Sequence, residues 1–286
     1  MIARLLLALF LLLGASPALA QGFAGLGTEA EGFARPQLGH EFSFPEDHGP
    51  HPDFRIEWWY LTANLTGEDG KTYGAQWTLF RSALAPERAT GWSSPQAWNG
   101  HAAVTTPDAH YYAERFARDG VGQADVEIAP FNAFIDEWSM RARPNTNGID
   151  EITVSARSTE FSYDLDLTAQ NPLVFHGEDG YSVKSPEGQA SYYYSQPFYR
   201  VEGRLDLPSG PVEVSGEAWL DREYSSQPLA ENQDGWDWIS LHFEDGAKLM
   251  GFSVRQGEGE GEAGAYTSAS WIEPDGTLTA YEDGAL

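Results

Sequence analysis

Apolar and polar residues alternate in short runs from Arg55 onward, and Gly, Asp, Asn and Pro separate the runs. A period of two is typical of antiparallel strands joined by short turns. The first hairpin shows the pattern best, because Ile56–Leu65 and Thr72–Phe80 flank the turn-rich segment Gly67–Gly70. Helical periodicity is nowhere sustained. The pattern therefore predicts an all-β fold, either a sandwich or an up-and-down barrel.

The same alternation predicts further strands across the chain. They lie at His101–Thr105, Tyr111–Phe116, Glu151–Ser158, Phe161–Thr168, Ala190–Tyr194, Tyr199–Leu207, Val212–Asp221 and Trp236–Phe243. Residues 21–50 carry Gly, Pro and polar residues without this period, and we interpret them as an extended lead-in. The segments around Ser93–Pro95 and at Asn145–Gly148 are interpreted as surface loops.

Residues 1–20 have the three parts of a secretory signal peptide. A positively charged start ends at Arg4, an apolar run follows at Leu5–Leu13, and Ala18–Ala20 supplies a small-x-small cleavage pattern. The apolar run is shorter than the about 20 residues that a membrane-spanning helix needs, and no later segment is apolar for longer. The sequence therefore predicts cleavage after Ala20, a periplasmic or secreted protein, and no stable membrane insertion.

The composition narrows the possible partners. The formal net charge is −26, with 43 acidic residues against 17 basic ones, and a field of that sign repels the phosphates of nucleic acids. The chain has no cysteine, so its stability comes from a core rather than from disulfides. No pair of histidines has metal-ligand spacing, and neither a G-x-S-x-G elbow nor a Gly-rich phosphate loop occurs. We expect no metal, no cofactor and no nucleic-acid partner.

A carboxylate lies on an apolar face of the first predicted strand. Alternation places Glu57 on the same side as Trp59 and Leu61, and Arg55 is an available ion-pair partner on that face. A buried carboxylate is costly unless it is paired. Glu57 is therefore either part of an ion pair that closes one end of a barrel, or a general acid or anchor for a polar ligand group.

Two further acids lie on predicted strands. Asp237 shares a face with Ile239, and Asp221 shares one with Trp219. The face that carries Trp219 and Asp221 is either solvent-exposed or the mouth of a cavity. His101 opens its strand and is either a hydrogen-bonded structural residue or a ligand-binding one.

The chain is rich in aromatic residues, including 10 Trp and 13 Tyr. Aromatic side chains suit the lining of a cavity for an apolar ligand, although core packing also employs them. The candidate ligand-binding residues are Trp58, Trp77, His101, Tyr192, Tyr194, Trp219, Trp236 and Trp238.

Six segments in order resemble one family. They are RIEWWYLTANL at 55–65, GAQWTLFR at 74–81, ERFAR at 114–118, YYYSQP at 192–197, VSGEAWLDREYSSQPL at 214–229 and GWDWISLHFEDG at 235–246. The family is the AttH-type and carotenoid 1,2-hydratase (hydroxyneurosporene synthase) family, and the resemblance covers roughly residues 40 to 286.

The resemblance implies a fold of two lipocalin-like antiparallel β-barrels. It implies a first lipocalin-like domain over residues 51–222 and a partial second domain over 223–286. Too few strands follow to close the second barrel, so we expect it to be truncated, from a shortened product or an incomplete gene model.

The resemblance also implies the chemistry. Carotenoid 1,2-hydratases add water across a terminal C=C bond, with an Asp in a Tyr-x-Asp motif as the acid, preceded by a His-x-Trp pair. These positions fall at Trp219, Asp221, Tyr192 and Tyr194, so the Asp matches and the other three positions carry different aromatic residues. Asp221 would be the proton donor, with Glu57 or Asp237 assisting.

Two functions remain open on this evidence. The first is a hydratase or hydrolase that acts on an apolar, isoprenoid or lipid-like molecule with Asp221, Glu57 and Asp237 as catalytic candidates. The second is a non-catalytic periplasmic carrier of a hydrophobic ligand. An Asp221→Asn substitution separates them, because only an enzyme would lose turnover while it retains the ligand.

Overall fold

The computed structural model describes residues 30–227, 233–256, 266–282 and 284–285. The predicted signal peptide at residues 1–20 and the first part of the lead-in therefore lie outside the described residues. No helix in the described part of the chain is long and apolar enough to cross a membrane.

The described chain consists almost wholly of β-strands. They are β1 (Ile56–Gly67), β2 (Thr72–Ala83), β3 (Gln96–Thr105), β4 (His110–Arg118), β5 (Ala124–Ile128), β6 (Phe131–Ile135), β7 (Trp138–Ala142), β8 (Glu151–Arg157), β9 (Ser162–Ala169), β10 (Val174–Phe175), β11 (Tyr181–Val183), β12 (Ala190–Leu207), β13 (Gly210–Ser225), β14 (Gln233–His242), β15 (Lys248–Gln256), β16 (Tyr266–Ile272) and β17 (Leu278–Tyr281). Short 3-10 helices lie at Glu46–His48 and Gly91–Ser93. The predicted all-β class is confirmed.

The first sheet is antiparallel and nearly closes into a barrel. Its strand order is β4-β3-β2-β1-β13-β12-β9-β8-β7-β6-β5, with β10 and β11 paired to β12. The two ends of the sheet approach each other where Arg115 of β4 forms an ion pair of 3.0 Å with Glu137, between β6 and β7. Alternate side chains fill the interior, and they include Trp59, Leu61, Trp77, Leu79, Trp98, Val104, Phe131, Ile135, Trp138, Met140, Leu165 and Val201.

The second sheet has the order β14-β15-β16-β17 and packs against the outer face of the first. A separate hydrophobic cluster joins the two sheets. Its members are Val174, Tyr193, Phe198, Trp219, Met250, Phe252, Val254, Tyr266 and Ile272. The first sheet therefore buries residues on both of its faces at β12 and β13, and the candidate site lies at this junction.

The sequence pattern divided β12 into two strands, whereas the structure shows one. Pairing with β13 shifts register between Gln196 and Tyr199, around Pro197. Proline has no N–H for the strand ladder, and such positions are accommodated at bulges. The Gln196 side chain accepts a hydrogen bond of 3.0 Å from the Phe198 backbone N–H, which satisfies that group inside the irregularity.

The described part of the lead-in contains several turns and the 3-10 helix Glu46–His48, and it closes one end of the barrel. Asp47 and His48 are buried there. The indole Nε1 of Trp59 donates a hydrogen bond of 2.9 Å to the carbonyl of His48, and the hydroxyl of Tyr194 donates one of 3.0 Å to the carbonyl of Asp47. This segment is thus an integral part of the first barrel.

Candidate active site between the two sheets

The pairing of β12 with β13 separates two polar clusters. Ser195 lies opposite Asp221, and Tyr194 lies opposite Arg222. Successive side chains of a strand point to opposite faces of a sheet. Ser195 and Asp221 therefore face the second sheet, in what we call the outer cluster, whereas Tyr194 and Arg222 face the barrel interior, in the inner cluster.

Asp221 is the centre of the outer cluster and is 2% exposed. Its Oδ1 accepts three hydrogen bonds, from Ser195 Oγ at 2.6 Å, Trp219 Nε1 at 2.7 Å and the Tyr193 hydroxyl at 2.8 Å. Burial raises the pKa of Asp221 to about 7, although the three donors act in the opposite direction.

A line of hydrogen bonds continues from Asp221 to the second sheet. His176 Nε2 lies 2.7 Å from Ser195 Oγ, and His176 Nδ1 lies 2.9 Å from Ser270 Oγ. Because Ser195 gives its proton to Asp221, it accepts from Nε2–H, and Nδ1 then accepts from Ser270. Burial lowers the pKa of His176 to about 3, which keeps the imidazole neutral as this arrangement requires. The outer cluster is thus a directed series of donors that ends on Asp221.

A pocket opens beside this cluster, between the first sheet and β14 and β15. Tyr193 forms part of its wall, and the Tyr193 hydroxyl both donates to Asp221 and accepts a bond of 3.2 Å from Trp238 Nε1. Burial raises the pKa of Tyr193 well above its usual value, so the hydroxyl stays protonated. The pocket is lined by Trp58, Lys184, Tyr193, Glu223, Trp236, Trp238, Phe252 and Val254. Most of these side chains are apolar or aromatic, which suits an apolar ligand.

The inner cluster is built around Glu57, which is fully buried. Its carboxylate forms ion pairs with the guanidinium groups of Arg81 and Arg222, the latter at 2.5 Å. Burial alone would raise the pKa of Glu57, but the two arginines hold it well below its usual value. The Arg222 guanidinium also stacks on the Trp59 ring at 3.9 Å.

The inner cluster extends to the segment that closes the barrel end. His51 stacks on Tyr224 with ring centroids 3.8 Å apart, and its Nε2 lies 3.0 Å from Asp47 Oδ1. The Tyr224 hydroxyl donates a bond of 2.9 Å to the same oxygen. Although burial raises the pKa of Asp47, these contacts and its other hydrogen bonds lower it to about 2. Each carboxylate of the inner cluster has a basic partner, Asp47 with His51 and Glu57 with the two arginines. This arrangement is typical of a structural element, here one that closes the end of the barrel.

A family model described as AttH-like matches residues 35–286. The chain belongs to the AttH-like family. This confirms the resemblance that its six motifs indicated.

Two solved structures are similar to this AttH-like chain. An AttH protein from Nitrosomonas europaea is 33% identical, with a TM-score of 0.76 over 88% of this chain and 75% of that one. Kievitone hydratase from Nectria haematococca shares the fold at 11% identity, with a TM-score of 0.64 over 86% of this chain and 69% of that one. No curated protein matches the chain.

The AttH-like structure brings some of the predicted site residues together. Trp219 donates to Asp221 in the outer cluster, and Trp58, Trp236 and Trp238 line the adjacent pocket. The face that carries Trp219 and Asp221 is therefore covered by the second sheet rather than exposed to solvent.

The other predicted residues lie elsewhere. The side chains of Tyr192 and Tyr194 lie on the opposite face of β12 from Ser195. They contact the segment that closes the barrel, Tyr192 through Gln37 and Tyr194 through Asp47. Trp77 is fully buried in the barrel core. Glu57 belongs to the inner cluster, with Arg81 and Arg222 as its ion-pair partners.

The remaining two predicted residues lie apart from both clusters. His101 packs edge-on against Phe80, with ring centroids 5.7 Å apart, and lies 3.6 Å from Glu114. Asp237 forms an ion pair of 2.5 Å with Arg255, in which both side chains are more than half exposed.

Several site residues were not among the sequence predictions. Tyr193 and Ser195 alternate with the predicted Tyr192 and Tyr194, so the strand register was the signal that could have identified them. Glu223 continues the alternation of Asp221 along β13. His176 and Lys184 lie at the ends of the short strands β10 and β11, where no periodic pattern marks them.

The raised pKa of Asp221 predicts a pH dependence of stability. This carboxyl titrates at about 7 in the folded protein and near 3.8 when unfolded. Between these values only the folded state binds the proton, so the contribution is fully present below 3.8 and is lost as the pH rises through 7. Relative to Asp221→Asn, the wild type should lose up to about 1.4 kcal/mol of unfolding free energy per pH unit in that window. Urea unfolding of both proteins at several pH values measures this difference, and parallel pH profiles would contradict it.

Proposed function

We propose that this protein is an acid–base enzyme of the hydratase or hydrolase type, which acts on an apolar small molecule in the pocket between the two sheets. The observation that carries the proposal is the contact between Asp221 and Tyr193. A buried carboxyl group that titrates near neutrality is hydrogen-bonded to the hydroxyl of Tyr193, a residue that lines the pocket. A group that is partly protonated at neutral pH can both give and take a proton.

The geometry supports the addition of water to an alkene. When the substrate binds, the Tyr193 hydroxyl turns its O–H from Asp221 to one alkene carbon. Asp221 then passes its proton to the Tyr193 oxygen while Tyr193 releases its own proton to that carbon. The π faces of Trp58 and Trp238 stabilise the positive charge that develops on the other carbon. Water then adds to that carbon, and the proton it loses returns to the carboxylate through Tyr193. The substrate gains one water and the enzyme is restored.

The same pair of groups could activate water for hydrolysis, so the proposal names both reaction types. Membership of the AttH-like family and the shared fold with a hydratase support the first of them. The aromatic lining of the pocket supports an apolar substrate, isoprenoid or lipid-like in character.

Incubation of the purified chain with a panel of isoprenoid and lipid alkenes and esters, in water enriched in oxygen-18, tests the proposal. A hydratase yields a product heavier by one labelled water, and a hydrolase yields two fragments of which one carries the label. Mass spectrometry distinguishes these results. Recovery of every bound compound unchanged would contradict catalysis and favour a carrier.

A further inference from the structure

A buried ion pair lies in the wall of the pocket. Lys184 Nζ is 3.0 Å from Glu223 Oε1, and the two side chains are 10% and 7% exposed. Burial of two charges costs free energy that their attraction repays only when their other hydrogen-bonding positions are also satisfied. The unused positions of this pair therefore indicate what the pocket receives.

The described contacts of this pair leave each partner with an unused hydrogen-bonding position. Lys184 Nζ lies over the rings of Phe252 and Tyr193, at 4.2 and 4.8 Å from their centroids, and directs one donor to Glu223. Ser191 Oγ donates to Oε1 of Glu223, the same oxygen that Lys184 contacts. Among the described residues these bonds leave a donor on Lys184 and the Oε2 acceptor of Glu223.

We propose that the pocket recognises a molecule with one uncharged hydroxyl group beside its apolar body, and that the hydroxyl accepts from Lys184 Nζ and donates to Glu223 Oε2. A hydroxyl both donates and accepts, which matches a pair of one donor and one acceptor with no net charge. A carboxylate would meet the negative charge of Glu223, and an ether would leave Oε2 without a donor. This inference rests on the proposed function for its substrate pocket.

Tyr193 relates this hydroxyl to the reacting bond. Its ring lies under Lys184, and its hydroxyl donates to Asp221. The recognised hydroxyl therefore lies near the Tyr193 ring, and the carbon that receives the proton lies beside the hydroxyl at the end of the same ring. The substrate class is an unsaturated apolar alcohol whose double bond lies within a few bonds of the hydroxyl.

Binding measurements with three matched probes test the inference without turnover. Geraniol carries the hydroxyl, geranyl methyl ether lacks its donor, and geranate replaces it with an anion. Because the pocket contains three tryptophans, quenching of their fluorescence reports occupancy. We expect geraniol to bind about tenfold more tightly than either of the other two probes. This ratio corresponds to the free energy of one buried hydrogen bond.

The double variant Lys184→Met/Glu223→Met, which removes both the donor and the acceptor, is expected to bind geraniol and its methyl ether about equally. Removal of both charges together avoids an unpaired buried ion, and thermal denaturation verifies that the variant is folded. The matched control is Lys248→Met/Glu217→Met, which removes another lysine–glutamate pair between the sheets, 3.1 Å long and outside the pocket lining. This control should keep the tenfold preference.

Several results would overturn the inference. They are equal binding of all three probes to the wild type, tighter binding of geranate, binding of none, or an unchanged preference in the Lys184/Glu223 variant. A retained preference without any chemical conversion would instead refute the enzyme proposal and leave the recognition of a hydroxyl intact.

Discussion

Substitution of Asp221 by Asn is expected to reduce turnover by about 10²- to 10⁴-fold, the usual contribution of a general acid or base. The amide has nearly the shape of the carboxyl group, and its oxygen can accept the three bonds that reach Oδ1 from Ser195, Trp219 and Tyr193. It cannot exchange a proton at neutral pH. Binding of the apolar ligand should change little, because the pocket wall itself is unaltered.

Asp237→Asn provides the matched control, since this aspartate is exposed and paired with Arg255 on the second sheet. Its turnover should equal that of the wild type. In a hydratase the protonated form of Asp221 is the active one, so the wild-type rate should fall as the pH rises through about 7. Rate measurements on whichever substrate the labelled-water screen identifies provide both tests. Full activity of Asp221→Asn would remove Asp221 from the mechanism.

The fold could be predicted largely because each strand of the first hairpin is long and alternates cleanly. β1 and β2 are 12 residues each, with one face in the barrel core. The three strands β5, β6 and β7 have only 5 residues each, and so short a run carries little periodic signal. Tertiary pairing, rather than local pattern, determines these strands.

The candidate site could be predicted only in part, for a related reason. Alternation along β13 placed Trp219 and Asp221 together, and the structure agrees. The resemblance placed the site at Tyr192 and Tyr194 of β12, whereas the pairing of β12 with β13 brings Tyr193 and Ser195 to the face that carries Asp221. His176 reaches the site through contacts 19 and 94 residues away in the sequence, with Ser195 and Ser270. No local pattern encodes contacts of that range.

The lead-in is a second part of the chain whose structural role the sequence pattern does not predict. Residues 21–50 have no strand period, so the sequence pattern predicts only an extended lead-in. Asp47 of this segment and the adjacent His51 acquire a role only when Glu57 and Arg222 are inside the barrel, because they complete the buried network around these two residues. A buried charge on one element thus requires partners that the sequence places on another.

Substitution of Glu57 by Gln is expected to destabilise the fold by about 3–5 kcal/mol, the cost of removing one partner from a buried ion pair. Two guanidinium groups, of Arg81 and Arg222, would lose the carboxylate that neutralises them, and both arginines are 2% exposed or less. Urea unfolding at neutral pH measures the loss.

The matched control for this prediction is Glu202→Gln, which removes a carboxylate from an exposed pair with Arg200 on the same sheet. An exposed pair of this kind contributes about 0–1 kcal/mol, so the control should remain close to wild type. A loss below about 1 kcal/mol for Glu57→Gln would contradict the structural assignment of the inner cluster. Because Glu57 does not line the pocket, the folded fraction of this variant should retain wild-type turnover per molecule. This separation follows from the alternation of side chains along β12 and β13, which places the ion pairs of Glu57 on one face of the sheet and Asp221 on the other.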